Sequence, residues 1–403
     1  METDGTYTIP RIGTLQVVFK IVERCNINCS YCYYFNMGEN TPLSRPKMVT
    51  QAKAFNIANW IAKGCRDLGI FKVLVSFHGG EPMMMPPQVV SNICKTIRSA
   101  LEPDITIGFS IQTNGTILTE DWLEIIAEHQ INIGISLDGD RIANDRFRRD
   151  YRGHSVFDRI EKNIYRLMDW AGDDPRFRPS TISVLDWRND YRSVYKYLRG
   201  LGVRQMSFLL PDRSFDQSQA EDNDTTRRFG RCFSEIFDAW LEEDDPKVSV
   251  RQIREFIYHF QAHREPVPSI DNDFLPYQII VMHSDGTVSI NDSYIPALEW
   301  YQQAPAKDIE EVSLREFLLE PIFTEITHAK HNLAASCQSC MWVGLCKGGD
   351  LENRFSSENG FNNPSVYCKA YQDFFEHACS RLLASGYPVD TMLEKLEATL
   401  SSA

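Results

Sequence analysis

Apolar residues along this chain fall into short runs separated by longer amphipathic stretches. The run at 15–22 (LQVVFKIV) is rich in β-branched residues and predicts a buried strand. Similar runs occupy 72–77, 105–111, 131–137, 181–185 and 203–210, separated by helix-like segments, of which 50–68 takes Thr50 as its N-cap. Strands alternating with helices in this way predict a parallel α/β fold. After Pro211 the composition shifts. Residues 213–226 are polar and read as a loop, and 227–243 reads as an amphipathic helix through Phe229, Phe233, Ile236, Phe237 and Trp240. A hairpin is expected at 278–294, turning at Ser284-Asp285-Gly286, because Asp-Gly is a strong turn signal. The tail from Asp390 has a short helical pattern through Met392, Leu393, Leu396 and Leu400, and no internal repeat or low-complexity segment is present.

In parallel sheets and barrels, ligands sit at the carboxyl ends of the strands. Here those ends carry polar and glycine-rich motifs: 25–32, His78-Gly79-Gly80-Glu81-Pro82, Gln112-Thr113-Asn114-Gly115, Ser136-Leu137-Asp138-Gly139 and Leu210-Pro211-Asp212. Composition adds limits. A chain of 403 residues, 43% apolar and 24% charged, buries a substantial core without a covalent staple. With 42 basic against 55 acidic residues the net charge is −13, which argues against a general nucleic-acid binder. No run of about 18 uncharged apolar residues occurs, and residues 1–10 lack a basic flank followed by an apolar run. Neither a membrane span nor a cleaved signal is expected, and a reducing, cytoplasmic setting is. The eleven cysteines are then expected to be ligands, nucleophiles or core fillers rather than disulfides. Cys65, Cys94, Cys232 and Cys379 lie among apolar residues and read as small buried hydrophobes. The other seven form two groups.

Cys25, Cys29 and Cys32 place three thiolates in one short segment after the first strand, and no His or further Cys before Cys65 supplies the fourth ligand of a closed zinc site. Three thiolates suit an iron–sulfur cubane with one iron left open to an exogenous ligand. The second group, Cys337, Cys340, Cys346 and Cys368, supplies enough thiolates to close a second cubane, or to hold zinc.

The C-x3-C-x2-C segment with Tyr31 before its third cysteine, followed by Gly79-Gly80-Glu81-Pro82 after the second strand, resembles the signature of radical S-adenosylmethionine enzymes. The resemblance runs from about residue 18 to 375 and sharpens toward peptide-modifying members with a C-terminal SPASM-type extension, including the anaerobic sulfatase-maturating enzymes. It implies a partial (β/α)6 TIM-type barrel with a SPASM-like extension. The chain then divides into an N-terminal segment (1–14), the barrel (15–212), a helical bridge (213–277), the auxiliary-cluster domain (278–379) and a helical tail (380–403). The implied cofactors are S-adenosylmethionine and two [4Fe–4S] clusters, one on Cys25, Cys29 and Cys32 and one on the C-terminal quartet. Matching motif to motif, Tyr31, Gly79, Gly80, Glu81, Asn114, Ser136, Arg148 and Leu210 fall where the family meets S-adenosylmethionine. Glycines there let the backbone approach the ligand, and Glu81 either orders the loop or meets the ligand's ammonium group. Tyr31 and Leu210 have core packing as the alternative, and Arg148 has a solvated arginine-rich face.

The departures from the family matter as much. Two-cluster SPASM enzymes carry further cysteines where this chain has Asn291, at the hairpin end, and Asp350, after Cys346-Lys347-Gly348-Gly349. A first auxiliary cluster is not expected, which weighs against sulfatase maturation. Asp292 matches the carboxylate that serves the family as general base, with turn capping as its alternative; a base role requires surroundings that raise its pKa. The segments Asn353-Arg354-Phe355-Ser356 and 360–368 resemble maturases that form three-residue cyclophanes in ribosomally made peptides. The expected activity is hydrogen abstraction from a side-chain β-carbon followed by carbon–carbon cross-linking to an aromatic ring. Implied partners are a precursor peptide with its leader and an electron donor such as flavodoxin or ferredoxin. The alternatives are formylglycine formation, a thioether or ether link, or a non-catalytic metal-binding peptide adaptor.

Overall fold

The computed structural model describes residues 9–218, 223–261 and 274–400. Part of the N-terminal segment, of the bridge and of the tail (1–8, 219–222, 262–273 and 401–403) lies outside the described residues. Its centre is a ten-stranded sheet. In chain order the strands are β1 (Arg11–Val22), β2 (Lys72–Gly79), β3 (Thr106–Thr113), β4 (Ile131–Ser136), β5 (Ser180–Val184), β6 (Gln205–Leu209), β7 (Ser249–Val250), β8 (Phe274–Met282), β9 (Thr287–Ser289) and β10 (Lys307–Asp308). Their spatial order is β10-β9-β8-β1-β2-β3-β4-β5-β6-β7. From β8 through β1 to β7 every pairing is parallel. β8, β9 and β10 pair antiparallel. This is the α/β partial-barrel arrangement expected from the alternation of strands and helices.

Local chemistry explains where the elements start. Thr50 caps the helix Gln51–Leu68 by accepting from the Lys53 N–H, Thr119 caps Glu120–His129, and Asp190 caps Tyr191–Gly200. The hairpin turns at Asp285-Gly286, where Gly286 has φ +90° and the Asp285 carboxylate accepts from the Thr287 N–H and hydroxyl. Its first strand, β8, lies in the main sheet, paired with β1 from Arg11↔Phe274 to Phe19↔Met282.

The outward face of the sheet packs under the helices. Phe19, Phe77 and Phe109 are fully buried there, the last two stacked 5.7 Å apart, each worth about 1.5–3 kcal/mol of burial. Cys65, Cys94, Cys232 and Cys379 are buried, as their apolar neighbours require. The inward face differs from the both-sides-apolar strand that a parallel sheet suggests. Gln16, Ser76, Ser110, Gln112 and Asn132 line a cavity of about 490 Å³ that also reaches His78, Tyr33 and Asp292. The sheet thus carries an apolar outer face and a polar lumen. No helix among the described residues is long and apolar enough to cross a membrane.

Candidate functional site

The loop leaving β1 carries Cys25, Cys29 and Cys32, half-exposed and packed against the core. Its anchor is a two-residue antiparallel ladder in which Asn28 and Cys29 pair with Arg149 and Arg148. Burial pushes the Cys25 thiol up to about 12 and raises Cys29 and Cys32 as well. Thiols so placed become thiolates only with a cationic partner, which iron supplies. Among the described residues no group of three His, Cys, Asp or Glu lies close enough to share one metal ion. A cubane, in contrast, gives each thiolate its own iron.

The end of β2 is built against this loop. A Cβ on Gly79, at φ +137°, would sit 1.9 Å from the Val22 carbonyl oxygen, and one on Gly80 would lie 2.2 Å from the Arg24 carbonyl. The Gly80 and Glu81 N–H groups donate to Val22 and Arg24 carbonyls at 2.8 and 2.9 Å. The glycines therefore admit the β1 end of this chain itself, where ligand approach was expected. Glu81 is fully buried. Its carboxylate accepts from the Met83 N–H, the Thr113 hydroxyl and the Asn114 N–H at 2.7–2.8 Å. Of its two expected roles this geometry is the loop-ordering one; burial still pushes its pKa up to about 7. Asn114, so positioned, approaches the Cys25 sulfur at 3.7 Å.

Arg148 is turned inward, 4% exposed, while its neighbours Arg141, Arg149 and Arg152 are exposed. Its Nη1 donates to the Tyr31 hydroxyl at 3.0 Å, and that hydroxyl donates to Asp138 at 2.7 Å. Among the described residues, the Arg148 Nε and Nη2 have no hydrogen-bond partner. Buried guanidinium N–H groups left unpaired beside three thiols fit a ligand that brings a carboxylate. Ser136, at the end of β4, accepts from Gln112 at 2.9 Å. Leu210 is half-buried just past β6.

On the lumen side lies a cluster that the sequence reading mostly missed. Lys20, 0% exposed in β1, forms an ion pair with Asp292 and reaches His78 Nδ1 at 3.1 Å and the Tyr34 ring at 4.2 Å. Tyr33 donates to Asp292 at 3.2 Å. Burial pushes Asp292 up, but Lys20 and His78 outweigh it, and the carboxyl lies below its ordinary value. The shift is opposite to the one a general base needs. Turn capping falls to Asn291, whose side chain accepts from the Ser293 N–H. A lysine in register with Gln16 in a β-branched strand was the signal available for this cluster.

The C-terminal cysteines come from two short helices, the loop between them and the start of a longer helix. Cys337 lies within Ala335–Gln338, Cys340 follows in the loop, Cys346 closes Val343–Cys346, and Cys368 opens the helix Cys368–Ala384. They lie within electrostatic reach of one another, and burial pushes Cys346 up to about 11. The Asn353–Ser356 segment is structural. Arg354, 1% exposed, donates to the carbonyls of Ala329, Asn332, Phe361 and Asn363. Asn353 and Tyr367 bond to the carbonyls of Arg213 and Pro211, tying this region to the loop after β6.

Residues 19–169 match the model of the radical SAM superfamily. The cysteine-type anaerobic sulfatase-maturating enzyme of Clostridium novyi is 24% identical over 364 residues, covering 89% of this chain and 94% of the relative. The serine-type enzyme of Bacteroides thetaiotaomicron is 23% identical over 389 residues, covering 93% and 91%. Among solved structures, native anSMEcpe with bound AdoMet and Cp18Cys peptide aligns with a TM-score of 0.75 at 21% identity, over 92% of this chain and 98% of that one. Streptococcus suis SuiB bound to precursor peptide SuiA aligns at 0.60 and 14%, over 88% and 76%. The three-cysteine loop thus lies in a domain, residues 19–169, that matches the radical SAM superfamily, which implies a [4Fe–4S] cluster and S-adenosylmethionine, and over most of its length the chain is similar to the anaerobic sulfatase-maturating enzymes.

Proposed function

We propose that this protein is a peptide maturase that cross-links a ribosomally made precursor through a carbon–carbon bond between a side-chain β-carbon and an aromatic ring. The observation that carries the reading is the pair Asn291 and Asp350. At the two positions where two-cluster relatives have cysteines, one side chain caps a turn and the other is a carboxylate near Asp212, Glu352 and Tyr294. A bound cluster with S-adenosylmethionine would supply the one-electron chemistry for hydrogen abstraction from the substrate. Cys25, Cys29 and Cys32 hold that cluster, and Arg148, fixed by Tyr31, takes the ligand's carboxylate. The polar lumen orients a peptide segment and excludes bulk water. Cys337, Cys340, Cys346 and Cys368 hold a second cluster. An external donor such as flavodoxin or ferredoxin provides the reducing electron.

The second reading is formylglycine formation, favoured by the relatives that align over most of the chain. Co-expression with a small precursor peptide encoded beside the gene, followed by mass spectrometry, separates the two. Cross-linking removes two hydrogens and joins two carbons, whereas a formylglycine on a cysteine or serine peptide refutes the first reading. Iron analysis after anaerobic reconstitution is expected to give about eight irons per chain, four from each cubane; zinc on the C-terminal quartet would remove the second cluster.

A further inference from the structure

The two edges of β8 are covered unequally. Toward β1 the strand is paired from Arg11↔Phe274 to Phe19↔Met282, whereas toward β9 only Val281 and Met282 are paired. The His283 N–H donates to the Thr287 carbonyl at 2.9 Å, on the β9 side. Main-chain groups alternate sides along a strand, so those of Val281, Ile279, Tyr277 and Leu275 face the same way. The Pro276 carbonyl agrees with this phase: it lies on the β1 side, 2.9 Å from where a Cβ on Gly13 would stand. On the other side the Ile279 carbonyl accepts from the Gln278 side chain at 3.0 Å. Outside the sheet ladders, Leu275 and Tyr277 make no main-chain hydrogen bond to a described residue.

Beside this open edge lies a cavity of about 110 Å³. One face of the helix Pro321–His331 forms its far wall, with Phe323, Ile326 and Thr327 at helical spacing opposite Leu275, Tyr277 and Ile279. Tyr277 is 61% exposed there. The space suits one aliphatic side chain, since a cavity of about 150 Å³ holds benzene. The register sets Ile279 beside Gln16, on the lumen side of the sheet, and Ile279 and Asn291 line both this cavity and the lumen. The groove along β8 is therefore continuous with the lumen, and Asn291, where two-cluster relatives carry a cysteine, stands at the junction.

We propose that the precursor peptide docks in extended form along the open edge of β8, as an added strand beside Leu275 to Ile279, with one aliphatic side chain in the cavity against Phe323 and Ile326. This rests on the peptide-maturase reading and names where that substrate is held. An added strand draws affinity from main-chain hydrogen bonds, which tolerate sequence, and register from the side-chain pocket. Past Asn291 the peptide enters the polar lumen, which Tyr33, His78 and Asp292 line. The anchored residue thus sets which later residue reaches the reacting centre. Docking also covers an edge that is otherwise open to a second copy of the chain.

The test uses reconstituted holoenzyme and the fluorescein-labelled precursor peptide encoded beside the gene. Tyr277→Pro removes one outward N–H and spares the β1 ladder, because proline is accepted on a strand edge. Ile326→Trp fills the cavity from the helix side. Each variant should weaken peptide binding about 10-fold, with iron content and peptide-independent cleavage of S-adenosylmethionine at the wild-type level. In the wild type, amide exchange across Phe274–Met282 should slow when peptide is added. Wild-type affinity in either variant, or exchange in β8 that bound peptide does not slow, overturns the proposal. Protection that rises with protein concentration in the absence of peptide assigns the edge to a second copy and overturns it as well. A wild type that holds peptide at this edge but returns formylglycine refutes the cross-linking reading alone.

Discussion

A lysine with no exposure in the middle of a parallel strand persists only if its charge is answered, and at Lys20 Asp292 answers it. Removing one partner leaves an uncompensated buried charge, so Lys20→Met should cost about 3–5 kcal/mol, read from urea unfolding at neutral pH. The double variant Lys20→Met/Asp292→Asn should regain most of that loss. The pH dependence follows from the direction of the Asp292 shift. A carboxyl held below its ordinary value contributes stability that is fully present above the unfolded value of about 3.9 and is lost as pH falls through the folded value. Wild-type unfolding free energy should therefore drop below about pH 4, and Asp292→Asn should flatten that part of the profile. An unchanged acid limb in Asp292→Asn would contradict the ion pair.

Among the elements, the end of β2 bears most on the site, because it supports the cysteine loop through backbone contact. Gly79→Ala introduces both a clash with the Val22 carbonyl and a side chain at φ +137°. The strain alone is on the order of 1–3 kcal/mol, and iron content after reconstitution should fall with it. A Gly79→Ala protein that binds iron as the wild type does would show that the loop holds its form without this contact. At the other end of the chain, the helix Val389–Leu400 closes over the short helix Val343–Cys346. A Cβ on Gly344 would lie 2.4 Å from Thr399. Deleting the chain from Val389 onward should uncover the Cys346 region and lower iron from about eight to about four per chain.

For the whole molecule, the two cysteine groups are separate sites joined through the barrel edge. Replacing Cys346 by Ser should remove about four irons and leave the cluster on Cys25, Cys29 and Cys32 countable by its absorbance. Loss of all iron would mean that the sites assemble as one unit. Much of this organisation was legible in the chain. The strand runs, Thr50 as a cap, the Asp-Gly turn and the grouping of seven cysteines apart from four core ones depend on local periodicity and spacing, which sequence carries directly. What the sequence left open at Glu81, Arg148 and Asp292 was which neighbour each would meet. A buried carboxylate orders a loop or binds a ligand according to which donors stand within 3 Å, and the Thr113 hydroxyl and Asn114 N–H come from the end of another strand. Arg148 turns inward because its short strand pairs with Cys29. Asp292 meets Lys20 across more than half the chain, and that contact lowers its pKa. The sequence by itself determined the alternation of elements and the supply of ligands, because both are written in short-range pattern. Only the tertiary structure decided that Asp292 pairs with Lys20 and that Glu81 orders a loop, because both depend on distances between strands far apart in the chain.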